Sequence, residues 1–346
     1  MTGTTVLVDV DSVIANLALM KIGSWRRAKG DNVVLSRHRI NRHTTRMTPA
    51  LDDPEKADNA YVSCIFSWNR PSAEKLARYW ERRGAHVERG GTGFDVGTSP
   101  PWSSIPYEAE AHAPDYSLYG VDYAVGFCNR GCNRRCQFCV VPIKEGTIKT
   151  AKFAHPSAWV PDDFRKAMLL DNDMALYPTE QQTQIVSWFK NAGVKYSVTQ
   201  GYDIRCVAQS DELAQLMAGN KPYDIKFNSR RLYVAWDYVQ NEGWVRKGIE
   251  KLLSAGFRGG EITCYILCGF NTTHEQDLHR FNVLWKEYGV LPYVMPYNSR
   301  TDDPWLRAFA RYINRVVFKA CTWDEYPHPP DVEVARQLPM AEIRVA

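Results

Sequence analysis

Short apolar runs alternate with amphipathic stretches along the whole chain. Residues 5–10 (TVLVDV) read as a strand, and 13–28 follow as a helix with Ile14, Leu17, Ala18 and Ile22 on one face. NVVLS (32–36) and AYVSCIFS (60–67) are further strands, the second followed by an amphipathic helix over 72–83 and a short strand at 86–88. This alternation predicts a small parallel α/β domain. The segment 97–119, rich in Pro, Ser and Tyr, reads as an irregular linker.

The pattern resumes with VDYAVGF (121–127) and continues through strands at 167–171, 195–200, 231–237, 262–268 and 293–297. Helical stretches lie between them at 179–192, 210–218, 242–255 and 273–288, the last opening on Thr272 and Glu275 at capping-box spacing. Six such strands predict an open or partial barrel, where chemistry collects at the C-terminal strand ends. The expected α/β architecture is a small Rossmann-like domain with its linker (1–119), a partial (β/α)6 TIM-type barrel (120–325) and a C-terminal extension (326–346). Two local signals have simple structural readings. Asp11 or Ser12 reads as the N-cap of the first helix, and Gly90-Gly91-Thr92-Gly93 is a lone glycine cluster after a strand. His274, Glu275 and His279 miss the zinc-protease spacing by one position.

Composition adds little until the cysteines are considered. At 346 residues, 45% hydrophobic and 24% charged, the sequence matches ordinary globular proteins. It has no apolar run of the roughly 18 residues that span a bilayer, and its first residues lack the features of a signal peptide. A cytoplasmic protein with no membrane partner is expected. The net charge of +4 is small, yet Arg26, Arg27, Lys29, Arg37, Arg39, Arg42 and Arg46 share a stretch whose only acid is Asp31. That stretch reads as a solvated face or as a phosphate-binding patch.

Four of the nine cysteines fall between Cys128 and Cys139, within GFCNRGCNRRCQFCVVPIKEG (126–146). In a reducing compartment, such a cluster points to metal rather than to disulfides. Cys132, Cys136 and Cys139 form a C-x3-C-x2-C run directly after a strand, with Phe138 between the last two. Three thiolates on a four-iron cluster leave one iron open to a chelating ligand. Including Cys128 gives a four-thiolate set that zinc could occupy, as in a zinc-stabilised nucleic-acid-binding module.

The C-x3-C-x-aromatic-C loop after the first strand of a partial barrel resembles the radical S-adenosylmethionine (SAM) superfamily, over about 121–325. The resemblance implies a [4Fe–4S] cluster on Cys132, Cys136 and Cys139. It implies SAM chelated to the open iron, reductive cleavage to a 5′-deoxyadenosyl radical, and a reducing donor of flavodoxin or ferredoxin type. Phe138 would lie beside the cofactor. By position at strand ends, Asp171, Asn172, Gln200, Asp203, Arg205, Asp237 and Gly269 are candidate SAM or substrate contacts. The Gly-Gly-Glu that usually ends the second strand is absent, and Asp203–Arg205 also reads as a structural ion pair. No residue is assigned a catalytic role.

A small α/β domain ahead of such a barrel resembles the cobalamin-dependent branch, which makes cobalamin an open second cofactor and methyl transfer an alternative activity. The ligand motif D-x-H-x-x-G is missing. The basic stretch and the many Trp and Tyr residues slightly favour a nucleotide or nucleic-acid substrate.

Overall fold

The computed structural model describes residues 3–40, 53–94, 106–148, 153–299 and 302–327. It is a mixed α/β chain with parallel sheets, divided into two compact units at Asp171/Asn172. The first unit opens with four parallel strands: β1 (Thr4–Asp9), β2 (Asn32–Arg37), β3 (Asn59–Ser63) and β4 (His86–Gly90). Their order is β2-β1-β3-β4. Val6, Val8 and Val10 point to one face and pack on Ala73, Leu76, Ala77 and Trp80 of α2 (Arg70–Glu81). Leu7 points to the other, against Leu19, Ile22 and Trp25 of α1 (Leu17–Ala28). A strand covered on both faces has no solvent side, which is why β1 reads as a continuous apolar run.

Helix α1 starts later than its periodicity predicts. Asn16, not Asp11 or Ser12, is the N-cap and accepts the Leu19 N–H at 3.2 Å. Asp11 is instead engaged across the sheet end, accepting the N–H groups of Ile65 (2.7 Å) and Phe66 (3.0 Å). Those long-range bonds leave residues 11–16 as a loop. Later in this unit, β5 (Ala124–Gly126) pairs in parallel with β6 (Lys166–Leu169). Gly126 is required there, because a Cβ would stand 2.3 Å from the Trp159 ring.

The second unit contains α3 (Thr179–Asn191), β7 (Lys195–Val198), α4 (Ile204–Gln209), α5 (Asp211–Gly219) and β8 (Leu232–Trp236). It continues with α6 (Glu242–Ser254), β9 (Ile262–Cys268), α7 (His274–Asn282), β10 (Leu291–Pro296) and α8 (Pro304–Asn314). Strands β8, β9 and β10 pair in parallel, and Tyr202, just beyond β7, bridges to Val234 of β8. The capping box of α7 is Thr273 with Gln276, one residue later than Thr272 and Glu275. Thr272 instead accepts the Gly269 N–H at 3.1 Å, closing the turn after β9. Helix α8 is additional to the expected elements; its signal is Asp303 followed by Pro304, a side-chain cap with Pro at the first helical position.

Candidate metal centre and polar strand ends

The cysteine loop begins where β5 ends, and two carboxylates pin it. Asp171, just past β6 and fully buried, accepts the N–H of Cys128 at 3.0 and 3.1 Å and that of Asn129 at 2.8 Å. Glu145, also buried, accepts the Gly131 N–H at 3.1 Å and pairs with Arg130 at 3.0 Å. The Cys132 N–H donates to the Gly146 carbonyl at 3.0 Å. Gly131 has φ +79°, and a Cβ there would stand 2.5 Å from the Thr147 oxygen, so only glycine lets the loop close on itself.

This geometry separates the four cysteines. Cys128 is fully buried, and burial together with the neighbouring Asp171 charge pushes its thiol far above the ordinary range. Its enclosure sets it apart from the other three cysteines of the loop. Cys132, Cys136 and Cys139 are half-buried. The Arg134 N–H lies 3.4 Å from the Cys132 sulfur, and the Val141 N–H lies 3.5 Å from that of Cys139. Amides directed at sulfur favour a charged thiolate and tune a bound cluster. Arg130, Arg134 and Arg135 bring positive charge to the same loop. The donor set therefore fits a cluster held by three cysteines. Among the described residues, no group of three or more Cys, His, Asp or Glu side chains that could hold a metal ion is found. Phe138 is half-buried between Cys136 and Cys139 in sequence.

The second unit collects polar groups at the C-terminal ends of its strands. Beyond β7, Gln200 is exposed, while Asp203 caps α4 and holds Arg205 in a two-pronged pair, both contacts at 2.8 Å. The ion-pair reading of Asp203 and Arg205 is thus present in the structure. Asp173, which sequence reasoning passed over, supports this turn by accepting the Asp203 N–H at 3.1 Å. Asn172 is half-buried at the start of the unit, and Gly269, after β9, has φ +75°. Asp237, immediately after β8, is half-buried. Burial pushes its carboxyl up to about 6, opposed by the charges of Arg280 and Arg205 and reinforced by Asp203.

Arg280 organises these ends. Fully buried, it pairs with Asp277 at 2.5 Å and donates to the carbonyls of Trp236 (2.7 Å) and Leu267 (2.8 Å). A charge this deep is tolerable only with its partners in place, and those partners fix the last turns of β8 and β9. Tyr238, Phe270 and Tyr297 follow β8, β9 and β10, with Phe270 centred 6.3 Å from Tyr238 and 4.8 Å from Tyr297.

In the first unit, the order β2-β1-β3-β4 is that of flavodoxin-like doubly wound sheets, whose ligand crevice opens between β1 and β3. Here Asp11 links the segments beyond the ends of β1 and β3, accepting from Ile65, Phe66 and Asn69. Gly91 and Gly93 pack against Cys64 and Phe66, with no room for a Cβ, so the glycine cluster is spent on packing. Within the basic stretch, Arg26 pairs with Asp31, Arg27 with Asp115 and Arg37 with Asp9, and Lys29 lies over the Trp25 ring. Arg39 is exposed, and Arg42 and Arg46 lie outside the described residues. No helix among the described residues is long and apolar enough to cross a membrane.

No protein-family model matches the sequence, and no curated protein matches it. Among solved structures, the chain is similar to the apo, selenomethionine-labelled form of OxsB, a cobalamin-dependent S-adenosylmethionine radical enzyme. The likeness has a TM-score of 0.37 and 10% sequence identity, over 85% of this chain and 49% of that one. The chain thus spans about half the length of that protein.

Proposed function

We propose that the protein is a radical SAM enzyme in which Cys132, Cys136 and Cys139 hold a [4Fe–4S] cluster. The observation that carries this reading is the division within the cysteine loop: three half-buried thiols, two with amides directed at sulfur, against a fourth that is fully enclosed. When bound, the cluster and SAM supply reductive cleavage and a 5′-deoxyadenosyl radical that takes hydrogen from the substrate. The chain's own groups hold and insulate this chemistry. Asp171 and Glu145 fix the two ends of the loop, and the loop arginines offset the negative charge of thiolates. The strand-end groups Asp203, Arg205, Asp237 and Gly269 are the contacts offered to SAM or substrate, and a flavodoxin- or ferredoxin-type donor supplies the electron.

A corrinoid-dependent reaction is the second reading. Cobalamin-dependent methyl transfer is the less favoured activity, because the sequence lacks the D-x-H-x-x-G ligand motif. Anaerobic reconstitution with iron and sulfide tests the main reading. Alanine at Cys132, Cys136 or Cys139 should abolish iron–sulfur absorbance, whereas Cys128→Ala should keep it. With reductant and SAM, the intact protein should release 5′-deoxyadenosine. Zinc bound by all four cysteines, with no iron retained, would refute the proposal.

A further inference from the structure

Burial alternates along β8 and β10, whereas β9 between them is buried throughout except at Tyr265. Leu232, Val234 and Trp236, Ile262, Cys264, Ile266 and Cys268, and Val294 are buried on one face. The opposite face presents Tyr233 from β8, Tyr265 from β9, and Tyr293 and Met295 from β10, with Asp237 immediately beyond β8. Tyr293 is 41% exposed and Met295 46%. Three tyrosines stand in a row across the strands: Tyr233 stacks on Tyr265 with centroids 5.6 Å apart, and Tyr265 meets Tyr293 edge to face at 5.7 Å. The Tyr265 hydroxyl donates to the Thr199 carbonyl at 3.2 Å, which fixes the middle ring. Barrel interiors are ordinarily filled by branched aliphatics, so an open aromatic row is a surface shaped for flat ligands.

Among the described residues, the carboxylates of Asp203, Asp237 and Asp277 meet the guanidiniums of Arg205 and Arg280 near the C-terminal end of this face. Arg205 is paired with Asp203, and Arg280 with Asp277. Asp237 has no hydrogen-bond partner among the described residues, although the charges of Arg280 and Arg205 act on its carboxylate. Cys264, buried behind it, is held protonated by burial and by the Asp237 charge.

We infer that the open face of β8–β10 binds the substrate, and that the substrate's bound portion is an organic monocation with a flat aromatic or heteroaromatic body. The tyrosine row takes the flat body by stacking and by cation–π contact, and the Asp237 carboxylate takes the charge. The inference rests on the radical SAM reading for the word substrate, but its binding test needs no cluster.

The probes are benzamidine, a flat cation, and benzamide, its neutral isostere, titrated by ligand-observed NMR against the full chain without iron. Benzamidine should bind about tenfold more tightly than benzamide. Asp237→Asn should erase that preference, and Tyr293→Ala should weaken both probes. Benzamidine affinity should rise as pH climbs through about 6, where Asp237 ionises. Equal binding of the two probes, or a preference that survives Asp237→Asn in a folded variant, overturns the inference. Displacement of benzamidine by SAM, one for one, also overturns it, because the carboxylate would then serve the cofactor. Repeating the titration with Cys132→Ser separates the two proposals. Binding that persists there supports the ligand face even if iron incorporation fails.

Discussion

The Asp171 carboxylate accepts the backbone N–H of Cys128 at 3.0 Å, tying the residue after β6 to the start of the cysteine loop. A second bond at 2.8 Å reaches the neighbouring Asn129 amide. The two contacts fix where the loop leaves β5. Asp171→Ala would leave buried amides without acceptors, at a cost of about 1–3 kcal/mol each. We expect a lower melting temperature and reduced iron incorporation after reconstitution, with Asp171→Asn intermediate because its amide oxygen still accepts. Iron content unchanged in Asp171→Ala would show that this clamp does not position the thiols.

Gly131 should tolerate no side chain. With φ +79° and a Cβ only 2.5 Å from the Thr147 oxygen, Gly131→Ala combines backbone strain of about 1–3 kcal/mol with a steric clash. The loop should open locally and lose iron while the circular dichroism of the rest survives. Normal iron binding by this variant would count against the loop closure described above.

Cys128→Ala tests the buried thiol separately. The side chain is fully enclosed, so its loss should cost about 1 kcal/mol or a little more, on the scale of small core truncations. Iron and sulfide content should stay at the level of the parent protein. A drop to zero would place Cys128 among the ligands.

Asp237 gives a pH-dependent signature. Its carboxyl lies near 6 in the fold against an ordinary 3.8. A raised carboxyl adds stability in its protonated form, fully present below about 3.8 and lost as pH rises through about 6. At pH 7 the charged, half-buried group is therefore a burden, and Asp237→Asn should stabilise the protein by about 1–3 kcal/mol. The gain should shrink towards zero below pH 4 in parallel denaturant titrations.

Glu261 behaves in the opposite sense. Burial raises its carboxyl, but the Lys221 ammonium at 2.8 Å and Arg258 outweigh this and hold it near 2. That contribution is present above about 4.5 and lost as pH falls towards 2. Glu261→Gln should weaken the fold at pH 7, with the difference from the parent fading in acid. An equal difference at pH 7 and pH 3 would refute the assignment.

The sequence by itself determined most elements of this protein, because strand and helix periods are local properties of neighbouring residues. The ITCYILC run coincides with β9 at both ends, and the C-x3-C-x2-C spacing singled out Cys132, Cys136 and Cys139 without any coordinates. Element ends shifted where a distant partner intervened: α1 begins at Leu17 because Asp11 is bound by the amides of Ile65 and Phe66. Only the tertiary structure could assign Asp171 to the amides of Cys128 and Asn129, since that bond joins residues some forty positions apart. Only it could direct the ion pairs of Arg205 and Arg280 to Asp203 and Asp277 rather than to Asp237. Charge balance and burial depend on which residues meet in space, and spacing along the chain does not encode that.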